Sequence, residues 1–245
     1  MANSYFQFKQ FTIHQDKSAM KVTTDSCLFG AWCSLKLRVG NQESGDRKVL
    51  DIGTGTGLLA LMLSQATESA IDAVEIDKDA FQQATENIAA SPWAARIKAI
   101  HGDVRELLFQ TQYDIIISNP PFYEKELKGD DARKNIAHHN DGLLLPELLD
   151  IIKKNLKPGG AFYLLLPYKR NEEVKKLLTE NDLAIHQLVF VKQSVNHYYF
   201  RTMLEGKLKA TKQVETKIDE ISIKDNAGQY TPAFISLLKD YYLHL

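Results

Sequence analysis

Residues 49–57 read Val-Leu-Asp-Ile-Gly-Thr-Gly-Thr-Gly, and an apolar run follows over 58–63. An apolar strand that enters three closely spaced glycines and leaves as a helix is a narrow structural instruction. Glycine accepts the positive φ of a tight turn, and its missing Cβ lets a ligand come close to the backbone. The new helix points its free N–H groups into that turn. A polar or anionic ligand is favoured there.

Downstream, strands and helices alternate, which implies a parallel sheet wrapped by helices. Strands are expected at 48–52, 69–76, 96–101, 113–118 and 161–166. Helices are expected at 58–66, 79–90, 104–109, 143–155 and 171–181. The strand at 113–118 carries Ile115, Ile116 and Ile117 in succession, the mark of a strand buried on both faces. Two β-rich stretches, 184–192 and 198–204, are joined by a short polar link and form an antiparallel hairpin. One more strand is expected near 221–223 and a closing helix at 234–242. Upstream, Thr24 or Asp25 caps a helix over 26–37. The polar stretch 39–47 is the clearest break in composition, and a long loop covers 120–142.

The chain has 245 residues, 44% of them hydrophobic, with a formal net charge of −1. That suffices for one large α/β domain. It argues against a protein that coats nucleic acid over its whole surface, but not against a local basic face. No run of 18 apolar residues stands in the sequence, so no membrane-spanning helix is expected. The first residues lack the basic-then-apolar layout of a signal peptide. Cys27 and Cys33 make neither a disulfide framework nor a metal site, since no second Cys or His pair stands at ligand spacing. A cytoplasmic protein without metal is expected.

Three further positions carry chemistry. Glu75 ends the second strand of the alternating series, where a carboxylate takes ribose hydroxyls in nucleoside-binding α/β folds. His101-Gly-Asp103 ends the third. Asn119-Pro-Pro-Phe122 ends the fourth. Two prolines fix φ twice and remove two donors, which leaves a rigid turn with outward carbonyls. Asn119 adds an amide oxygen beside the Pro120 carbonyl, Pro121 stiffens the turn, and Phe122 adds a flat apolar face. Together they suit a planar amine: two acceptors for two N–H groups, and a ring for stacking.

The evenly spaced pattern Asp51, Gly53, Gly55, Gly57 resembles motif I of the class I S-adenosylmethionine (SAM) methyltransferases, and differs from the G-x-G-x-x-G of dinucleotide folds. Residues 119–122 resemble the N-P-P-[FY] motif of amino-methyltransferases acting on adenine, guanine or glutamine amides. The stretches 8–13 and 20–32, Asn119 to Tyr123, Arg133, and Ala137-His138-His139 resemble the bacterial tRNA(Val) adenosine-37 N6-methyltransferase family along nearly the whole chain. That resemblance implies a Rossmann-like α/β fold, with a mostly parallel seven-stranded sheet ending in an antiparallel hairpin. It implies an N-terminal extension (1–38) over the SAM site, a catalytic core (47–206) and a C-terminal strand and helix (207–245). It also implies that Lys21 and Thr23 help close the SAM site, and that Asp103 and Val104 face the adenine. The tRNA substrate then needs phosphate contacts, for which Lys9, Arg133, Lys134 and His138 are the candidates. A monomer is expected. Three other readings stay open from the residues: an rRNA amino-methyltransferase, a release-factor glutamine methyltransferase, and a nucleotide-binding module or NAD oxidoreductase.

Overall fold

The computed structural model describes residues 3–18, 20–39, 47–120, 142–210 and 215–245. A small hairpin comes first: β1 (Tyr5–Gln7) and β2 (Thr12–His14), antiparallel. The order is then α1 (Thr24–Val39), β3 (Lys48–Ile52), α2 (Leu58–Ser64), β4 (Ala70–Glu75), α3 (Lys78–Ala89), β5 (Ile97–His101) and β6 (Tyr113–Ser118). It continues with α4 (Leu145–Asn155), β7 (Leu156–Pro167), α5 (Asn171–Glu180), β8 (Leu183–Ser194), β9 (Tyr199–Leu208), β10 (Lys217–Lys224) and α6 (Pro232–Leu238).

Among the described residues, eight strands form one sheet in the order β10-β8-β9-β7-β6-β3-β4-β5. β3 is parallel to both β4 and β6, and β7 is parallel to β6. The chain therefore runs outward from β3 in both directions, and the ends of β3 and β6 face the crevice where such sheets bind ligands. Ile115, Ile116 and Ile117 are all buried, as a strand covered on both faces requires. One apolar layer joins the β1–β2 hairpin, α1, α2 and α6 on one face of the sheet; the other joins α4 and α5 on the opposite face.

Three expectations need correction. The sheet has eight strands where the resemblance implied seven: the strand expected near 221–223 runs over 217–224, pairs with β8 and extends the edge. The helix expected over 104–109 does not form. Only a turn closes there, with the Glu106 N–H donating to the Asp103 carbonyl. Six residues are too few to sustain a helix without tertiary support, and Leu107 and Phe109 instead pack on the second apolar layer. The cap of α1 is Thr23, one residue before the expected pair: its hydroxyl accepts from the Ser26 N–H and pairs with the Ser26 hydroxyl at 2.9 Å. The antiparallel β8–β9 hairpin is as expected, and Cys27 and Cys33 are free and buried on α1.

Sequence-distant ends meet. Phe8 bridges to Tyr242, the Lys9 N–H donates to the Tyr241 carbonyl at 2.8 Å, and the Lys9 ammonium donates to the Lys239 carbonyl. Phe6, Phe8, Phe11, Phe234 and Tyr242 form a chain of ring contacts across this junction. No described helix is long and apolar enough to cross a membrane.

Candidate active site

The glycine turn between β3 and α2 is held from β4. The N–H groups of Gly53 and Thr54 both donate to the Val74 carbonyl, at 2.9 and 3.0 Å. The Gly55 N–H donates to Glu75 Oε2 at 2.8 Å, while Glu75 Oε1 accepts from the Asp77 N–H at 3.0 Å. One carboxylate thus ties the turn to the start of α3. Gly55 has φ +58°, and a Cβ built on it meets nothing within 4 Å. The turn therefore borders open space at that residue. Gly57 differs: it caps α2, and a Cβ there would touch Ala84 of α3 at 3.6 Å.

Asp51 lies beneath the turn, fully buried. Its Oδ2 accepts from the Thr54 hydroxyl at 2.6 Å, and its Oδ1 has no partner. Burial pushes its carboxyl up to about 7; the Thr54 hydroxyl pulls the other way, and the Glu75 charge adds to the rise.

On the β5 side, Asp103 grips Arg105. The guanidinium reaches both carboxylate oxygens and the Arg105 N–H reaches Oδ1, at 2.5–2.9 Å. These bonds hold the Asp103 carboxyl below the usual carboxylate range. Arg105 also contacts Glu147 at the start of α4, at 3.4 Å. On the β6 side, the Ser118 hydroxyl donates to the Ile52 carbonyl at 2.8 Å and fixes the β6 end against β3. Asn119 and Pro120 follow directly.

A strap formed by residues 15–18 and 20–23 closes the cleft from above. It is held by side-chain amides of α3. Asn87 accepts from the His14 N–H at 2.9 Å and donates to the carbonyls of His14 and Thr56, at 2.8 and 2.9 Å. Gln83 accepts from the Lys17 N–H, and Gln15 accepts from the Val22 N–H. Lys21 turns its ammonium inward onto the carbonyls of Gln15 and Ser18.

Together these elements enclose a cleft of about 330 Å³, within the roughly 300–1,000 Å³ of small-molecule sites. Lys21, Thr23, Gly53, Gly55, Glu75, Asp103, Val104, Asn119 and Pro120 all line it. Asp51 and Gly57, expected at the ligand, do not: Asp51 supports the turn from below, and Gly57 serves the packing of α2 on α3. Lys9, expected on the RNA side, lies away from the cleft lining at the junction with Lys239. Pro121, Phe122, Arg133, Lys134 and His138 lie outside the described residues. Among the described residues no group of three or more His, Cys, Asp or Glu could hold a metal ion.

Sequence reasoning missed Asn87, Gln83 and Arg105. A signal for the first two existed. Ala80, Gln83, Ala84, Asn87 and Ile88 make the buried stripe of α3, and two amides on an otherwise apolar stripe need buried partners.

The cleft also suits a nucleoside with a charged amino-acid tail. It offers open backbone at Gly55, a carboxylate at Glu75 and apolar surface at Ile76, Val104 and Leu59. Glu75 spends one bond on each oxygen, so acceptor capacity is left on both.

Residues 37–181 match the family model described as the methyltransferase small domain. The chain is 39% identical over 247 residues to a Parabacteroides distasonis protein named tRNA1(Val) (adenine(37)-N6)-methyltransferase, covering all of both chains. It is 40% identical, again over all of both chains, to a protein of the same name from Cytophaga hutchinsonii. Among solved structures, a putative class I SAM-dependent methyltransferase from Listeria monocytogenes aligns with TM-score 0.61 at 15% identity, covering 84% of this chain and 67% of that one. A putative RNA methyltransferase from Pyrococcus horikoshii aligns with TM-score 0.57 at 19% identity, covering 84% and 94%. A glycopeptide N-methyltransferase complexed with SAM aligns with TM-score 0.54 at 11% identity, covering 73% and 94%. The fold is the Rossmann-like α/β fold of the class I methyltransferases.

Proposed function

The chain belongs to the methyltransferase small domain family and, within it, to the tRNA1(Val) (adenine(37)-N6)-methyltransferases; on that premise we propose that it transfers a methyl group from SAM to the N6 amine of adenosine 37 of a valine tRNA. The observation that carries the reading is the meeting of Gly55 and Glu75 with Asn119 and Pro120 in one cleft. A nucleoside-binding turn and a pair of amine acceptors thus share one space.

SAM supplies, when bound, a methyl group activated by the adjacent sulfonium. The protein's own residues hold and aim. Glu75 takes the ribose hydroxyls with its remaining lone pairs. The turn at Gly53 and Gly55 admits the amino-acid tail against the backbone. Val104 and Ile76 give the adenine its apolar surface. Asp103 accepts from the adenine amine only if the Arg105 fork yields one of its contacts, since that fork takes most of the carboxylate's acceptor sites. Lys21 and Thr23 close the site from the strap.

The target nitrogen is a poor nucleophile, because its lone pair is delocalised into the adenine ring. Asn119 Oδ1 and the Pro120 carbonyl accept its two N–H groups and favour the pyramidal nitrogen that develops positive charge. Dipoles fixed before the reaction stabilise that charge without reorganising. Alignment of the reacting atoms provides the rest. By their place in the sequence, Phe122 stacks on the target base, while Arg133, Lys134 and His138 meet phosphates. We propose further that the enzyme works in the cytoplasm, where its tRNA substrate is met, and that it acts as a monomer.

The test is methyl transfer from labelled SAM to a valine tRNA transcript, followed by nucleoside analysis. N6-methyladenosine at position 37, lost when that adenosine is replaced by guanosine, is the expected result. Label appearing only in rRNA, or in a glutamine-containing release-factor peptide, overturns the tRNA assignment.

A further inference from the structure

The rim that carries Asn119 also carries the β8–β9 turn. β7 is parallel to β6, β9 is antiparallel to β7, and β8 is antiparallel to β9. β8 therefore ends on the same rim as β6. The register fixes how far the turn projects. Ser118 lies opposite Leu164, and Pro167, three residues further along β7, lies opposite Arg201 at the start of β9. Arg201 thus stands about 10 Å above the level of Ser118, and the turn, three residues beyond Arg201, about 20 Å above it and about 10–15 Å to its side, from strand rise and strand spacing. Arg201 in turn pairs with Asp25 at 2.7 Å, which joins this corner to the first turn of α1 and so to the strap.

Tyr198 sits in that turn, 96% exposed. It makes neither a ring contact nor a hydrogen bond among the described residues, whereas its neighbour Tyr199 is fixed by Tyr168 and Phe190 at ring distances of 5.0 and 5.3 Å. Lys192 lies 4.6 Å over the Tyr199 ring, and Lys169 and Arg170 follow β7 nearby in the register. Glu220 and Glu173 partly balance these cations, so charge alone does not give the patch its use. A ring as exposed as Tyr198 adds nothing to the apolar burial of the fold, yet it adjoins in sequence a rigid three-ring cluster on the rim that carries Asn119.

We propose that Tyr198 is a stacking platform for a nucleotide of the substrate's single-stranded loop that flanks the target adenosine, a reading that rests on tRNA being the substrate. Drawing the target base out of its stack costs a few kcal/mol, and it leaves the faces of its neighbours exposed to water. An aromatic face offset from the cleft covers one of them, and every base has a face to offer. RNA is favoured over a protein partner because the turn rises from the rim that carries Asn119 and has Lys169, Arg170 and Lys192 near it.

The experiment compares Tyr198→Ala and Tyr198→Phe with wild type. The readouts are filter binding of valine tRNA across a salt series, calorimetry of SAM, and steady-state methylation. The Ala variant binds tRNA about 5- to 150-fold more weakly, the span of one lost base–aromatic stack. Its KM for tRNA rises, its kcat at saturating tRNA and its SAM affinity stay at wild-type values, and its salt slope is unchanged because no phosphate contact is lost. The Phe variant matches wild type. Equal tRNA affinity for wild type and Tyr198→Ala overturns the platform, and so does an equal loss in both variants, which would make the hydroxyl the contact. Should wild type itself neither bind nor methylate the tRNA while still binding SAM, the tRNA reading falls instead, a result separable from failure of the platform alone.

Discussion

The floor of the cleft and the strap above it do neighbouring jobs by different means. The floor is made at strand ends: Gly53 and Gly55 after β3, Glu75 at the end of β4, Asp103 after β5, Asn119 after β6. Its bonds run mainly between backbone groups and one carboxylate on adjacent strands. The strap has no sheet partner at the cleft. It is held by the side-chain amides of Gln15 and Gln83 and by the Lys17–Glu86 ion pair, while Asn87 fixes His14 at its root. The floor is therefore fixed by the same hydrogen bonds that make the sheet. The strap hangs on side-chain contacts instead of on the sheet, and low local stability of that kind is what moving elements require.

The comparison can be broken first at Gly55. Gly55→Val places a branched side chain at φ +58° and in the open space of the cleft; the left-handed conformation alone costs about 1–2 kcal/mol. SAM binding by calorimetry should be lost while far-ultraviolet circular dichroism stays native. Retained affinity would show that the ligand does not approach this turn.

A second test divides the floor itself. Asn119→Ala should leave SAM affinity unchanged and lower kcat by about 10²–10³, the usual effect of removing one preorganised contact to developing charge. Single-turnover methylation near the wild-type rate would remove Asn119 from the chemistry.

Glu75→Ala comes next. Loss of its hydrogen bonds should weaken SAM by about 1.5–3 kcal/mol, or 10- to 150-fold. Tryptic cleavage after Lys17 and Lys21 should proceed at the wild-type rate, because the strap does not hang on Glu75. Faster cleavage would mean that floor and strap are one unit.

Asn87→Ala is the reciprocal experiment. It leaves the His14 N–H and the His14 and Thr56 carbonyls without their partner, a loss of about 1–3 kcal/mol for each group that stays buried. The strap should be cut faster by trypsin, with a smaller loss of SAM affinity than Glu75→Ala produces. A variant cut no faster than wild type would show that the strap is anchored elsewhere.

The last test concerns pH and leaves SAM affinity aside. The Asp51 carboxyl is raised to about 7 by burial, above its unfolded value of about 3.9. Between those values the folded state binds the extra proton, so this group's contribution is full below pH 4 and is lost as pH rises through about 7. Thermal melts from pH 5 to 8 should show wild type losing stability relative to Asp51→Asn. Parallel curves would mean that Asp51 titrates in its ordinary range.

The same contrast explains what the sequence made legible. The floor residues each follow a strand by a short fixed offset, so reading the strands placed Gly53, Gly55, Glu75, Asp103 and Asn119 around one crevice. Even spacing did not reveal which glycines border the cleft, because Gly57 differs from Gly55 in what α3 brings against it. Arg105 was hidden because the stretch after Asp103 reads as a short helix, whereas the Asp103 carboxylate holds a guanidinium and Leu107 and Phe109 turn inward. The strap's anchors were hidden by distance. Nothing near His14 points to Asn87, and only the buried polar positions on α3 hinted that something had to reach them. The last strand was legible near 221–223, where Ile221 and Ile223 are buried, but its start was not: residues 217–220 carry exposed or half-buried side chains, and their partner β8 decides that they pair.

The junction of Phe8 and Lys9 with Lys239, Tyr241 and Tyr242 has a consequence for the chain while it is being made. A ribosome emits the strap's hairpin first and its abutment last. At about 5–20 residues per second that delay is roughly 10–50 s. Throughout it the glycine turn and its strand partners are already available, but the hairpin that carries the strap lacks the surface it leans on. Synthesis therefore orders the two events: the nascent polypeptide can shape its crevice early, yet the hairpin that carries the strap gains its abutment only once translation has passed Tyr242.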